Sequence, residues 1–320
     1  MKIIPPLRFI FRLIIRTALI LILALILALL INRLLTTPST NRDWALDQAI
    51  MPSVEFAPDG KQVTVRNIRD FRYRSTTDYT PHYYDKTFDL SRLVAAHFMV
   101  EPFSGFKGSA HTFVTFGFLP EGVQSTSTLA FLERPHNLDY VSISVEIRKE
   151  KGEKFSALKG LLRRYELMYV VADERDVIDL RANHRHDQVY LYPVHTSTEK
   201  IRGLFVDMLK RADKLAVEPE FYNTITNTCT TNIVKHINTI VEASADGGKK
   251  VAWWDLKVLL PANSDKLAYD LGLIDTELPF EEVRAKYLIN ERAAKYTVSG
   301  AAGGVDGLVE GVGFSEGVRK

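Results

Sequence analysis

The sequence has little of what builds disulfide-rich or metal-binding proteins, because its 320 residues include a single cysteine, Cys229. One cysteine excludes an intramolecular disulfide and any metal site made from several cysteines. A strong charge of one sign is also missing, since 41 basic and 39 acidic residues leave a formal net charge of +2. This balance argues against a protein that binds nucleic acid by neutralising phosphates.

Acidic residues are absent from the first 35 positions, which carry five basic residues: Lys2, Arg8, Arg12, Arg16 and Arg33. Residues 17–31 have no charge and are nearly all Leu, Ile or Ala. Extended to residues 13–35, the run forms a helix of about 34 Å, long enough to cross the hydrocarbon core of a bilayer. We expect an uncleaved signal anchor, with a cleaved signal peptide as the alternative.

The charge bias around this run predicts its orientation. Four basic residues precede the run and one follows it closely, which favours a cytoplasmic N-terminus and a body on the far side of the membrane. We therefore predict a single-pass inner-membrane protein whose body lies in the periplasm.

The polarity of the chain also predicts its domain limits. They are a cytoplasmic basic N-terminus over 1–12, a transmembrane signal anchor over 13–35, a polar linker over 36–42, a periplasmic domain over 43–298 and a flexible Gly-rich tail over 299–320. The tail is assigned from its glycine content and its lack of helical period.

Periodicity in the body predicts strands flanked by helices. Residues 111–118 and 141–148 alternate as strands do, and residues 167–172 and 189–194 are further strand candidates. Residues 199–214 place apolar side chains on one helical face, and a second helix begins near Cys229. This order predicts an α+β domain with a largely antiparallel sheet and flanking helices.

Cys229 lies in the segment Asn227-Thr228-Cys229-Thr230-Thr231-Asn232. Asn227 and Thr228 are good N-cap residues, which places the cysteine in the first turn of a helix. The N–H groups and the positive dipole end there stabilise a thiolate and can hold an oxyanion. The alternative is a small buried apolar residue, since free cysteines are often found in cores.

A nucleophilic thiol needs a base, and His111 is our candidate because it opens a strand just after a loop. His184 and His186 form a possible metal pair, but their polar neighbours favour a solvated turn. His236 shares a helix face with Cys229 yet lies about 10 Å further along the axis. We interpret the charged residues at 174–176 as a surface salt-bridge set.

Four stretches of the chain resemble a known family. They are Asn-Thr-Cys-Thr-Thr-Asn-Ile-Val (227–234), Ser-Ala-His-Thr-Phe (109–113), Ser-Val-Glu-Ile-Arg (144–148) and Asp-Glu-Arg-Asp-Val (173–177). Together they are similar to the bacterial Lnb N-terminal periplasmic domain family, formerly a domain of unknown function. The resemblance runs from about residue 43 to residue 290.

The resemblance implies a thiol enzyme with a permuted papain-like fold, as in NlpC-type peptidases and lecithin:retinol acyltransferase. In that order a histidine strand comes first, a strand with polar residues second, and a cysteine at a helix start last. It implies Cys229 as nucleophile, His111 as base and Glu146 or Ser144 as the third group that orients the imidazole. Ser144 and Asn227 are the candidates for orienting the site or holding an oxyanion.

The function expected from the sequence is a cysteine-nucleophile acyltransferase or hydrolase acting on acyl groups of lipid or lipoprotein substrates. A thiol peptidase or amidase acting on the cell wall, or a non-catalytic envelope-binding domain, are the alternatives. Expected partners are inner-membrane lipid and an acyl or peptide substrate, and nucleic acid is not among them. The sequence indicates no metal and no cofactor, and it leaves the oligomeric state open.

Overall fold

Among the described residues of the body, eight strands form one mixed sheet between two layers of helices, and two short strands form a separate hairpin-like pair. The computed structural model describes residues 7–103, 105, 107–122, 138–244, 247–296 and 313–320. Residues 1–6 of the predicted cytoplasmic segment and 299–312 of the predicted tail lie outside the described residues.

The elements follow one another along the chain with short connections. The strands are β1 Ser53–Phe56, β2 Gln62–Arg69, β3 Arg72–Tyr73, β4 Tyr79–Thr80, β5 Tyr83–Asp89, β6 Leu93–Pro102, β7 Ala110–Phe118, β8 Asp139–Arg148, β9 Glu166–Asp173 and β10 Tyr190–Pro193. The helices are α1 Leu7–Leu35, α2 Ala157–Leu161, α3 Glu174–Asp179, α4 Thr198–Val217, α5 Cys229–Ala243, α6 Leu256–Leu259, α7 Ser264–Asp270, α8 Phe280–Tyr287, α9 Asn290–Tyr296 and α10 Phe314–Gly317.

The main sheet has the strand order β1-β2-β9-β8-β7-β6-β10, and β5 also pairs with β2. Its neighbouring strands are antiparallel except β2 and β9, which run parallel. The predicted α+β class and largely antiparallel sheet are therefore confirmed. The strands predicted at 111–118 and 141–148 are β7 and β8, each starting one or two residues earlier than expected.

Both faces of the sheet are covered because its central strands are apolar on both sides. On one face, α4 and α5 pack Phe205 and Ile233 against Phe116 and Ile143. On the other face, α3, α9 and α10 pack around Phe113 and Met168. The predicted amphipathic helix is α4, whose apolar stripe is buried as expected.

The N-terminal apolar run is one continuous helix, α1, which begins at Leu7 and so starts six residues before the predicted anchor. Within the described residues, one helix is long and apolar enough to cross a membrane, and it spans Phe9–Leu35. Its large apolar side chains are exposed along the whole length. A helix that is apolar on all sides and unburied needs an apolar medium around it.

The segment after α1, predicted as a polar linker over 36–42, runs along the body and is bonded to it. The Asn32 side-chain amide donates to the carbonyl of Leu162 at 3.1 Å, and Arg42 forms an ion pair with the buried Glu166 at 2.8 Å. The Ala45 N–H then donates to the carbonyl of Lys149. These bonds fix the end of α1 against the start of β9.

The end of the predicted flexible tail is packed, which corrects the sequence interpretation for residues 313–320. Helix α10 buries Phe314, and Val318 just beyond it is buried in the same core. The side chain of Arg319 is also enclosed, since it forms an ion pair with Glu174 at 2.5 Å and lies over the ring of Tyr140. The glycine-rich composition concealed these contacts because they are made with residues far away in the sequence.

Candidate active site

Cys229 is the first residue of α5, as predicted from its capping sequence. Thr228 is the N-cap, and it exchanges two hydrogen bonds with Thr231: each backbone N–H donates to the other residue's hydroxyl oxygen, at 3.2 and 2.8 Å. This capping box fixes the start of the helix. The thiol therefore sits at the positive end of the helix dipole.

His111 is held by the neighbouring strand β8. Its Nε2 lies 2.7 Å from the hydroxyl oxygen of Ser144 and 3.2 Å from Oε1 of Glu146, and the Ser144 hydroxyl donates to the same Oε1 at 2.7 Å. The register pairs Phe113 with Ser144, so alternation brings His111, Ser144 and Glu146 to one face. The Nε2 atom of His111 is thus engaged by Ser144 and Glu146 together.

The electrostatics of the thiol and the imidazole are coupled. Burial alone would raise the pKa of Cys229, but a hydrogen bond and the charge of His111, helped by Thr112, lower it to about 7. Burial alone would lower the pKa of His111, but the Glu146 carboxylate and the thiolate raise it to about 10. Between these two values the thiolate and the imidazolium coexist as an ion pair.

Glu146 stays ionised because cations surround it. Burial disfavours its charge, but His111 and then Arg181 hold the pKa of this carboxyl well below its usual range. The Arg181 guanidinium donates to Glu146 at 2.8 Å and to the buried Glu101 at 2.7 Å, and it lies over the Phe113 ring. A buried arginine thus fixes the carboxylate that faces the histidine.

Arg181 is a site residue that sequence reasoning missed. Its polar sequence neighbours indicate a solvated turn, yet Arg181 itself is buried and only 2% exposed. The local polarity was misleading because its partners, Glu101 and Glu146, lie on strands far away in the sequence. Nearby, His184 lies 3.5 Å from Asp179.

The charged residues at 174–176 also depart from the expected surface cluster. Glu174 and Asp176 are fully buried. Asp176 binds Arg69 through bonds of 2.7 to 3.2 Å and accepts the Phe71 N–H, so it joins α3 to the end of β2. The cluster is therefore a structural support behind the site and not a solvated patch.

A cavity of about 350 Å³ contains the thiol, the imidazole and the carboxylate. The charged residues of its lining are Asp47, Arg69, Glu146, Lys149, Arg181 and Arg185. The apolar and aromatic residues of its lining are Phe103, Ala110, Val145, Ile147, Phe155, Leu180 and Tyr222. A pocket of this size, with both apolar and charged groups in its lining, suits a small or chain-like ligand that carries a polar group.

Asn227 does not line this cavity, and the orienting or oxyanion role predicted for it stays a prediction. Its amide nitrogen donates to the carbonyl of Phe221 at 2.8 Å, and its oxygen accepts from Asn232 at 2.9 Å. The residue thus closes the loop before α5. His236 also has other partners, since it bonds Tyr169 and Asp207 at 2.7 Å each.

The sequence profile of the Lnb N-terminal periplasmic domain matches residues 79–262. The chain belongs to this family. The match contains His111, Ser144, Glu146, Arg181 and Cys229, so the assembled cluster lies wholly within the family domain. Neither a curated protein nor a solved structure matches the chain.

The family match indicates a role for the exposed apolar helix α1 as a membrane anchor. A helix able to span a membrane precedes a domain whose family is periplasmic. Together these findings fit a membrane-anchored protein with a periplasmic domain of the Lnb N-terminal family.

Proposed function

We propose that this chain is a membrane-anchored periplasmic thiol enzyme that transfers or hydrolyses acyl groups of lipid or lipoprotein substrates. The observation that carries the proposal is the shared cavity of Cys229 and His111, in which the pKa of the thiol is lowered to about 7. Perturbed titratable groups gathered in a cleft are typical of active sites. In this proposal α1 spans the inner membrane with its N-terminus in the cytoplasm.

The proposed reaction begins with the Cys229 thiolate, which attacks the carbonyl carbon of an ester, thioester or amide. The first-turn N–H groups of α5 face the oxyanion that develops. As the tetrahedral intermediate collapses, the imidazolium of His111 gives its proton to the leaving group, and an acyl thioester remains on the cysteine. His111 then takes a proton from water or an amine, which attacks the thioester and releases the thiolate.

Glu146 and Ser144 act on the histidine in this mechanism. The carboxylate stabilises the imidazolium, and the hydroxyl fixes the orientation of the ring through its 2.7 Å contact with Nε2. The order of a histidine strand, a polar strand and a cysteine helix matches that of permuted papain-like enzymes. This agreement supports assigning the fold to that group as part of the proposal.

The apolar residues in the lining of the cavity favour an acyl chain as the substrate. A cell-wall peptidase would instead need an open polar groove. The test is hydrolysis or transfer of long-chain acyl thioesters by the full chain in detergent micelles. Wild type and the control His195→Gln are expected to be active, because His195 is exposed and does not line the cavity. Full activity in Cys229→Ser would overturn the proposal.

A further inference from the structure

An exposed apolar ridge lies beside the cavity, on the side where α1 joins the body. The ridge consists of Phe155, Leu158, Leu161 and Ile225, whose exposed fractions are 50%, 65%, 41% and 47%. Leu158 and Leu161 are three residues apart on α2 and so share one side of it, and Phe155 lies just before the helix. A contiguous apolar surface of this kind marks a site that contacts another molecule or a membrane.

The end of the apolar helix lies against the same part of the body. A surface groove is lined by Leu29 and Leu30 of α1 together with Leu161 and Phe221 of the body. The Asn32 side chain reinforces this contact by donating to the Leu162 carbonyl. Because Leu29 and Leu30 belong to the span, Leu161 lies at the depth where the span leaves the bilayer.

The charges around the ridge complement a phospholipid surface. Residues 149–164 contain six basic and two acidic residues. Lys154, Lys159 and Arg164 are exposed. Apolar side chains flanked by lysine and arginine are typical of segments that lie in the headgroup region of an anionic membrane.

The ridge is connected to the thiol through direct packing. Helix α2 packs closely on the loop before α5 at Gly160. A Cβ atom at this position would lie 2.4 Å from the Thr224 hydroxyl and 3.0 Å from the Tyr222 ring. The Thr224 hydroxyl also donates to the Ala157 carbonyl at 2.7 Å. Phe155 and Tyr222 both line the cavity that holds Cys229.

We infer that the ridge formed by Phe155, Leu158, Leu161 and Ile225 inserts into the outer leaflet of the inner membrane and opens the Cys229 cavity directly to lipid. The bilayer is the one occupant that meets the position of α1, the flanking basic charge and the apolar ridge together. This inference rests on the membrane anchoring in the proposed function. The substrates expected for this cavity are amphiphiles. Their acyl chains pass Phe155 and enter the cavity from the bilayer without crossing water.

The depth of the ridge can be measured independently of any chemistry at the thiol. Full-length chain carrying Cys229→Ala and one new cysteine, Leu158→Cys, is labelled with an environment-sensitive fluorophore. It is then reconstituted into phosphatidylethanolamine–phosphatidylglycerol vesicles that contain nitroxide-bearing acyl chains. We expect a shift of emission to shorter wavelength and strong quenching. Leu23→Cys within α1 reports that the anchor has inserted.

The matched control for depth is Glu121→Cys, an exposed position beyond the far end of β7. Its label is expected to stay in water and to escape quenching. If the label at Leu158 behaves like the label at Glu121 while the label at Leu23 is quenched, the ridge does not insert and the inference is overturned. Neither result depends on whether Cys229 is catalytic.

Access of lipid to the cavity is measured with two probes that share one reactive group. Cys229 is alkylated in vesicles either by N-hexadecyl iodoacetamide or by water-soluble iodoacetamide. In Leu158→Glu/Leu161→Glu we expect most labelling by the hexadecyl probe to be lost and the iodoacetamide rate to be kept. Lys61→Glu makes the same change in net charge on an exposed turn and is expected to match wild type. Unchanged labelling by the hexadecyl probe in the ridge variant would contradict the inference.

Discussion

At the scale of single residues, the cluster owes its chemistry to the opposing effects of burial and charge on each group. Burial alone would keep the Cys229 thiol protonated and the His111 imidazole neutral. The Glu146 carboxylate raises the pKa of His111 and so favours the imidazolium. The imidazolium in turn lowers the pKa of Cys229 and favours the thiolate. The charged pair therefore depends on the whole chain of contacts from Arg181 through Glu146 to the ring.

The first prediction concerns the ionisation of the thiol. Cys229 is fully protonated well below its pKa of about 7, so its alkylation rate by iodoacetamide should rise with pH through a midpoint near 7. In His111→Gln the cation is gone and burial remains, so we expect the midpoint to move above 8. His195→Gln, at an exposed position, is the control. A midpoint that stays near 7 in His111→Gln would show that the histidine does not set the thiolate.

The second prediction concerns the carboxylate. Glu146→Gln removes the charge that raises the pKa of His111, so the imidazolium should lose its proton at lower pH. We expect the alkaline limb of the kcat/KM profile to shift to lower pH and the rate to fall by about 100-fold, the usual scale of acid–base contributions. Ser144→Ala should lower the rate while leaving that alkaline limb closer to wild type. An unshifted alkaline limb in Glu146→Gln would show that the carboxylate is only structural.

The sequence could predict the members of this cluster that depend on local pattern. Strand alternation places Ser144 and Glu146 on one face, and the capping residues place Cys229 at a helix start. Arg181 could not be found in this way, because a charged residue in a polar segment gives no sign of burial. The position of Asn227 outside the cavity could not be predicted either, because the sequence does not show that its side-chain amide is bonded within its own loop.

At the scale of elements, short helices on the second face of the sheet support the site through buried ion pairs. Helix α3 carries Glu174 and Asp176, which bind Arg319 and Arg69. Each partner comes from a distant part of the chain, so α3 is tied both to the C-terminal helix and to β2. Arg181 follows α3 directly, and its position relative to Glu146 therefore depends on these contacts.

The third prediction tests the C-terminal attachment. Arg319→Met leaves the buried Glu174 without a partner, and breaking a buried pair from one side typically costs about 3–5 kcal/mol. We expect a loss of this size in the free energy of unfolding, measured by urea denaturation in micelles. The double variant Arg319→Met/Glu174→Leu should recover much of it, because no uncompensated charge remains. A single variant as stable as wild type would show that residues 313–320 do not pack in solution.

At the scale of the whole molecule, the charge and the apolar content are divided between two parts. The basic residues of the first 35 positions lie on either side of the uncharged stretch 17–31 within α1, and the remaining chain is slightly acidic. The sequence predicted this division well, because long apolar runs and charge bias are local signals. It could not predict that the segment after α1 is bonded to the body, since Asn32 and Arg42 bind residues more than 120 positions away.

The fourth prediction concerns topology. With the N-terminus in the cytoplasm, Glu121→Cys in a Cys229→Ala background should react with a membrane-impermeant maleimide in intact spheroplasts. The same cysteine should be protected if the body lies in the cytoplasm, so labelling that requires cell lysis would contradict the proposed orientation. The Cys229→Ala chain without a new cysteine is the control for background labelling.

The proposed mechanism requires Cys229 to carry an acyl group during turnover, and intact-protein mass spectrometry detects such an adduct. Full-length chain is mixed with a palmitoyl thioester, quenched in acid and weighed, and the modified peptide is then identified. We expect a single added acyl group on Cys229, less of it in His111→Gln and none in Cys229→Ala. An adduct that persists in Cys229→Ala, or its absence from wild type while substrate is consumed, would rule out the acyl-cysteine mechanism.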